Sequence, residues 1–348
     1  MIPVKGYAAK AAHAPLEPYQ FERRTPGPHD VLIDIRYCGV CHSDLHKVRN
    51  EWGEGLFPMV PGHEIIGMVE QVGSSVKKFK VGDCVGVGCL VDSCGSCPSC
   101  KDGLEQFCDG PLVFTYGAYE KDGKTITYGG YSNKIVTRED FVLSISPKIP
   151  ITQAAPLLCA GITTYSPLRH WKVGPGQRIG VLGLGGLGHM AVKLAAAMGA
   201  EVTVLSSSDK KRGDATRLGA HDYVVTSIDE NLKKYACHFD LIINTISTAH
   251  GLPKFIELLK RDATMVMVGA PDKPEPFHAF PLILKRRSIA GSLIGGIRET
   301  QEMLDFCAAK GVAAEVELIP INQIDNAYER MLKGDVRYRF VIDMKSLT

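Results

Sequence analysis

The chain has 348 residues, 45% of them hydrophobic and 22% charged, which is enough for about two domains with cores of their own and excludes a disordered chain. Forty Lys and Arg against 38 Asp and Glu leave a formal net charge of +2, too little to attract a nucleic-acid polyanion. The 11 cysteines are odd in number, the N-terminal MIPVKGYAAKAAHAPLEPYQFERR lacks the apolar core of a signal peptide, and no apolar run is long enough to span a membrane. A secreted disulfide scaffold is therefore not expected. The expectation is metal ligation by a cytoplasmic protein without a membrane or nucleic-acid partner.

From Met1 to about Pro150 the chain is a series of short β-rich runs broken by Gly, Pro and Asp. Asp30–Tyr37 alternates apolar and polar residues and predicts a half-buried strand. Ile65–Val72 and Val81–Gly88 read as further strands, separated by the turn residues Gly73, Ser74 and Ser75. After Pro150 the texture changes. Ala154–Tyr165 predicts a helix, and strand-like and helix-like segments then alternate: Arg178–Leu182, Leu187–Met198, Glu201–Leu205, Lys210–Leu218, Tyr223–Val225 and Asp240–Ile243. Leu252–Leu259 and Thr264–Val268 continue the pattern, which predicts an α/β region with a parallel sheet and helices on both faces. A helix at Ile297–Ala309 and a strand at Arg339–Ile342 close the chain.

Gly183-Leu184-Gly185-Gly186-Leu187-Gly188 matches G-x-G-x-x-G, between an apolar strand and an Ala-rich helix. In that setting the glycines let backbone approach a pyrophosphate at the helix N-terminus. The next strand ends in Ser206, Ser207 and Ser208, followed by Asp209, Lys210, Lys211 and Arg212. A carboxylate at position 206 would repel a 2′-phosphate, whereas hydroxyls and cations bind one, so NADP(H) is the expected cofactor.

Cys94, Cys97, Cys100 and Cys108 form C-x2-C-x2-C-x7-C, which suits tetrahedral zinc in a site closed to substrate. An iron–sulfur cluster and unliganded thiols are the rival readings. Outside this lobe, Cys38, Cys41, His42, His46, His63, Glu64 and Cys159 are candidate ligands or acid–base groups. Spacing alone cannot join Cys41, His63 and Cys159, and Cys159 taken singly reads as a small buried apolar residue.

The segments CGVCHSDLH, VPGHEIIG, the four-cysteine lobe, LLCAGITTYSPL and GLGGLGHMAVKLAAAMGAEVTVLSSS occur in the order found in zinc-dependent medium-chain alcohol dehydrogenases. The triple serine, LLCAGIT and Ser292-Leu293-Ile294-Gly295 resemble the cinnamyl alcohol dehydrogenase branch, which includes bacterial aldehyde reductases. The resemblance implies a GroES-like irregular β catalytic domain at 1–152 and 293–348 and a Rossmann NADP-binding domain at 153–292. It implies two zinc ions per chain. Cys41, His63 and Cys159 would hold the catalytic ion, with Glu64 close by, and Cys94, Cys97, Cys100 and Cys108 the structural one. Asp44 resembles the carboxylate that orients the zinc-bound histidine, and Ser43 and His46 resemble a proton relay. Thr163, Thr245, Gly269, Ser292, Leu293 and Ile294 match cofactor-contact positions.

The implied activity is hydride transfer between NADP(H) and primary alcohols or aldehydes, aliphatic and aromatic, in a homodimer. The alternative, an NAD-dependent polyol or secondary-alcohol dehydrogenase, predicts an acidic residue near Ser206, which is absent. Two positions depart from the branch: Phe114 stands where many plant enzymes have Trp, and Asn244 replaces an acidic residue. Trp52, Leu56, Phe57, Phe114, Leu293 and Ile294 are expected either to line an apolar pocket or to be ordinary core.

Overall fold

The computed structural model describes residues 1–271 and 273–347. The chain forms two units, Met1–Cys159 with Gly295–Thr348, and Ala160–Ile294. The first crossing thus falls at Cys159, where the sequence reading set its domain boundary at residue 152.

The first unit is built on a sheet ordered Val316–Pro320, Arg339–Asp343, Asp30–Val40, Ile65–Val72, Cys84–Val87 and Leu143–Ser144, with Lys134–Arg138 pairing the end of Asp30–Val40. Asp30–Val40 differs from the half-buried strand that its alternation predicts: only Asp34, Arg36 and Tyr37 are partly exposed. It pairs with three other strands, so neither edge is free. Buried apolar side chains from Ile33, Ile35, Ile65, Val85, Phe340 and Ile342 form its core. This central strand delivers Cys41 directly into the helix His42–Val48. Gly39 lies so close to Glu64 that any Cβ there would overlap the carboxylate, which brings the two adjoining strand ends together.

The segment 151–170 also departs from its reading as one helix. It forms a helix at Ile151–Ala154, a 3-10 turn at Ala155–Leu158 and a second helix at Ala160–His170. Pro156 has no N–H to give, and the backbone leaves the helix at Cys159, with φ −130° and ψ −69°. Leu157 and Leu158 are fully buried, each contributing about 1.5–3 kcal/mol. That outweighs the ~0.5–1.5 kcal/mol for each helical hydrogen bond the break gives up. The interruption is what frees the Cys159 thiol to face another part of the unit.

In the second unit, six parallel strands run in the order Asp222–Val225, Glu201–Ser206, Arg178–Leu182, Phe239–Asn244, Leu259–Met267 and Ser288–Gly291. This is the doubly wound dinucleotide-binding topology. Its strands are apolar along their length because they are covered on both faces: Ile179, Val181, Val202, Val204, Ile242 and Val266 are all fully buried. The helix Gly186–Ala197 starts on the glycine turn. Two further readings are corrected here. Lys210–Leu218 is a 3-10 turn at Asp209–Lys211 followed by the helix Arg212–Arg217, and Leu252–Leu259 is helical only over Leu252–Ile256. Leu259 already opens the next strand, where it pairs with Phe239.

Candidate functional site

The Cys94–Cys108 loop gathers four thiols without help from distant sequence. Cys94 Sγ lies 3.8 Å from Cys100 Sγ, and Cys97 Sγ lies 4.0 Å from Cys108 Sγ. Four sulfurs bound tetrahedrally at about 2.3 Å from one zinc stand about 3.8 Å apart, so the spacing fits a single ion better than a multi-iron cluster. Backbone N–H groups point at the sulfurs: Ser96 and Cys97 donate to Cys94 Sγ, Cys94 and Gly110 to Cys108 Sγ, and Cys100 to Cys97 Sγ. Those from Ser96 and Cys97 pull Cys94 down to about 5. The loop is pre-shaped for thiolates. Four protein ligands leave no open coordination position.

The second group is assembled from three places in the chain. Cys41 ends the central strand, His63 and Glu64 precede the strand Ile65–Val72, and Cys159 stands at the helix break. One ligand atom from each of Cys41, His63, Glu64 and Cys159 lies within 4.8 Å of the others, and all four residues are buried. The two sulfurs are 4.0 Å apart. Cys41 is drawn well below the usual thiol range, chiefly by its hydrogen bond with Cys159. His63 Nδ1 donates to Asp44 Oδ1 at 3.0 Å, which leaves Nε2 on the side of Cys41 as the nitrogen a metal would take. The fully buried Asp44 also accepts from the backbone of Cys41 at 2.9 Å and of Gly62 at 3.1 Å. Two thiols and one imidazole fit zinc with the fourth position left open, and the Glu64 carboxylate lies close by.

Around this set, Ser43 Oγ is 3.7 Å from Cys41 Sγ, and His46 Nδ1 bonds the Glu51 carboxylate while its ring stacks on Trp52. Arg339 was not foreseen. It is buried in the closing strand, paired with Glu64, and its Nη1 is 3.9 Å from Cys41 Sγ. Burial lifts Glu64 to about 8 against the opposing pull of Arg339. The one sequence signal for Arg339 is a charge opening an otherwise apolar strand, RFVID. Cys89 was also missed; its Sγ is 3.8 Å from the Leu158 carbonyl and its thiol interacts with Cys159.

In the second unit the three glycines of the motif divide their tasks. Gly183 turns the chain at φ +92°, a Cβ on Gly188 would meet the Gly183 carbonyl, and a Cβ on Gly185 would meet nothing within 4 Å. Turn, close packing and open approach are what a pyrophosphate cradle at a helix N-terminus requires, and Gly186 and Leu187 begin that helix. Thr245 Oγ1 closes the turn by donating to the Leu182 carbonyl at 2.9 Å. Gly269 packs so tightly against the Ile246 carbonyl that a side chain would be excluded. Ser207 and Ser208 are exposed beyond the strand that Ser206 ends. Asp209 pairs with Arg212 at 2.7 Å, which neutralises the nearest carboxylate, and Lys211 Nζ reaches the Leu184 carbonyl at 2.8 Å beside the glycine turn. A dianionic phosphate would therefore meet hydroxyls and cations here. Thr163 is buried in the helix Ala160–His170, and Ser292, Leu293 and Ile294 follow the edge strand Ser288–Gly291.

The apolar positions left open by sequence also separate. Trp52, Phe114 and Leu293 are about half exposed and not core, whereas Leu56, Phe57 and Ile294 are only partly exposed. Asn244 is fully buried, donates to His250 Nε2 at 2.9 Å and accepts from the Ile246 N–H. His250 Nδ1 faces the Thr248 carbonyl at 2.7 Å, which leaves Nε2 to the Asn244 amide.

The model of the zinc-binding dehydrogenase family matches residues 186–309, and that of the alcohol dehydrogenase GroES-like domain matches residues 27–147. NADP-dependent alcohol dehydrogenase C 1 of Mycolicibacterium smegmatis is 57% identical over 100% of this chain and 99% of its own. An aldehyde reductase of Escherichia coli is 54% identical over 99% of both chains. The solved structure of a cinnamyl alcohol dehydrogenase from Sorghum bicolor superposes with a TM-score of 0.96 at 45% identity, covering 99% of each chain. The chain belongs to the zinc-binding alcohol dehydrogenase family, in its cinnamyl alcohol dehydrogenase and aldehyde reductase branch.

Proposed function

We propose that Cys41, His63 and Cys159 hold a catalytic zinc beside Glu64, that the four-cysteine lobe holds a structural one, and that the chain is an NADP-dependent oxidoreductase of broad primary alcohols and aldehydes. The observation that carries the reading is the convergence of two thiols and one Nδ1-anchored imidazole in a buried group. Zinc, when bound there, polarises a carbonyl in reduction and stabilises the alkoxide in oxidation, while the nicotinamide supplies or takes the hydride. The unit carrying both cysteine sites serves as the catalytic domain and the doubly wound unit as the NADP-binding domain.

The residues of the chain do the rest. Asp44 fixes the His63 tautomer so that Nε2 faces the metal. Ser43 Oγ, beside Cys41, takes the proton of an alcohol and returns it to the nascent alkoxide in the reverse direction. His46, partly exposed and held by Glu51, passes that proton on to solvent. Ser206, Ser207 and Ser208 with Lys211 favour the 2′-phosphate, and the backbone at Gly183–Gly188 receives the pyrophosphate. Thr163, Thr245, Gly269 and Ser292–Ile294 shape the remaining cofactor contacts.

The protein works as a homodimer in the reducing cytoplasm. Phe280, Ile283 and Leu284 are each about 70% exposed along the short helix Phe280–Ile283 and its C-cap, next in sequence to the edge strand Ser288–Gly291, an apolar patch that a second copy would cover. No helix among the described residues is long and apolar enough to cross a membrane, and none of the described cysteines is joined in a disulfide. The test of function is NADPH oxidation across aliphatic and aromatic aldehydes. A kcat/KM for NADPH well above that for NADH is expected; a preference for NADH would overturn the cofactor reading.

A further inference from the structure

Asp44 is a fully buried carboxylate that accepts from the backbone of Cys41 and Gly62 and from the His63 ring it orients. A further donor comes from far away. Tyr131 Oη donates to Asp44 Oδ2 at 3.3 Å, and Tyr328 Oη donates to Tyr131 Oη at 3.4 Å. The direction of the chain is forced. A carboxylate only accepts, so Tyr131 spends its proton on Asp44 and its oxygen accepts from Tyr328. Both phenols are buried, and burial followed by the Asp44 charge holds them well above the usual phenol range, so they remain donors.

Tyr131 also backs the loop that bears His63. Its N–H donates to the Pro61 carbonyl at 2.9 Å, and its ring lies against Gly62, where a Cβ would come within 2.7 Å of it. Tyr116 stacks on the His63 ring with centroids 5.9 Å apart and also hydrogen-bonds Asp44. A buried tyrosine needs some partner for its hydroxyl, and a backbone carbonyl would satisfy it. Here two successive hydroxyls lead instead to the carboxylate behind a metal-ligand imidazole, bringing the helix Ile324–Leu332 into the site.

We propose that Tyr131 and Tyr328 are positioning residues of the catalytic metal site: through Asp44 they hold the His63 ring with Nε2 aimed at the ion. The proposal rests on the reading of Cys41, His63 and Cys159 as zinc ligands. Removing the Tyr131 hydroxyl leaves Asp44 one donor short and free to tilt, so the metal is held less tightly while the cofactor unit is untouched.

The test is the rate of zinc transfer from the intact enzyme to the chromogenic chelator 4-(2-pyridylazo)resorcinol, followed in parent, Tyr131→Phe, Tyr328→Phe and Asp44→Asn. The four-cysteine zinc serves as an internal reference. Outer partners of metal ligands change affinity by about 10–100-fold, so Asp44→Asn should speed release of one ion by that order, Tyr131→Phe by about tenfold and Tyr328→Phe by about threefold. The second ion should leave at the parental rate in all four proteins. Should Tyr131→Phe not fold, Tyr328→Phe carries the test, since its hydroxyl is the outer link. Parental release rates in both tyrosine variants, with fast release in Asp44→Asn, overturn the positioning role alone. A parental rate in Asp44→Asn as well overturns the ligand reading with it. Acceleration of both ions together would mark general destabilisation and also overturn the proposal.

Discussion

The Cys94–Cys108 lobe and the Cys41–His63–Cys159 group lie in the same unit, yet they are built in opposite ways. The lobe takes all four sulfurs from one loop, leaves them partly exposed and turns backbone N–H groups toward them. The buried group draws on a strand end, a turn and a broken helix, and relies on side-chain partners, Asp44 behind His63 and Arg339 beside Glu64. One arrangement closes a metal off; the other leaves room for a reactant. Local spacing is enough to shape a structural ion, whereas an open site needs ligands held by the fold around it.

Variants at each site should therefore fail differently. Cys159→Ala is expected to lose about 10³-fold or more in kcat/KM, since several kcal/mol of charge stabilisation depart with the metal. Circular dichroism should remain parental. A variant that reduced aldehyde at the parental rate would break the contrast at its strongest point. Ser43→Ala comes next, with a loss of about 10²-fold in kcat and zinc content unchanged, the lower end of what a positioned proton acceptor supplies. An unchanged kcat would remove Ser43 from the relay. Cys97→Ser, in the lobe, should change kcat at low temperature by less than about threefold yet lower Tm by roughly 5–10 °C, because a structural metal contributes to folding rather than to chemistry. Equal losses of activity at both sites would erase the distinction.

The same contrast governs what could be read from sequence. The lobe was legible because its four cysteines span few residues, and the glycine turn because strand, motif and helix are adjacent in the chain. Cys41, His63 and Cys159 were joined only by family resemblance, since no local pattern reports that a helix will break at Cys159. Pro156 was the available clue, but an apolar run with one early proline reads equally well as a helix. Asp30–Tyr37 reads as a half-buried strand because Asp34 and Arg36 imitate the alternation of a surface strand, while core side chains from the rest of the unit pack on Val31, Ile33, Ile35, Cys38 and Val40. Arg339 and Tyr328 reach partners 298 and 197 residues away in the chain, and such partners become visible only once the sheet and the helix Ile324–Leu332 are in place. In the second unit, the pairing of Asp209 with Arg212, which neutralises the carboxylate nearest the three serines, likewise shows only in the folded chain.

The most direct measurement of the central claim is the zinc content of the purified parent protein and of Cys159→Ala. Two zinc ions per chain are expected in the parent and one in the variant, retained by the four-cysteine lobe. A single ion or iron in the parent, or two ions still bound in Cys159→Ala, would contradict the two-site assignment.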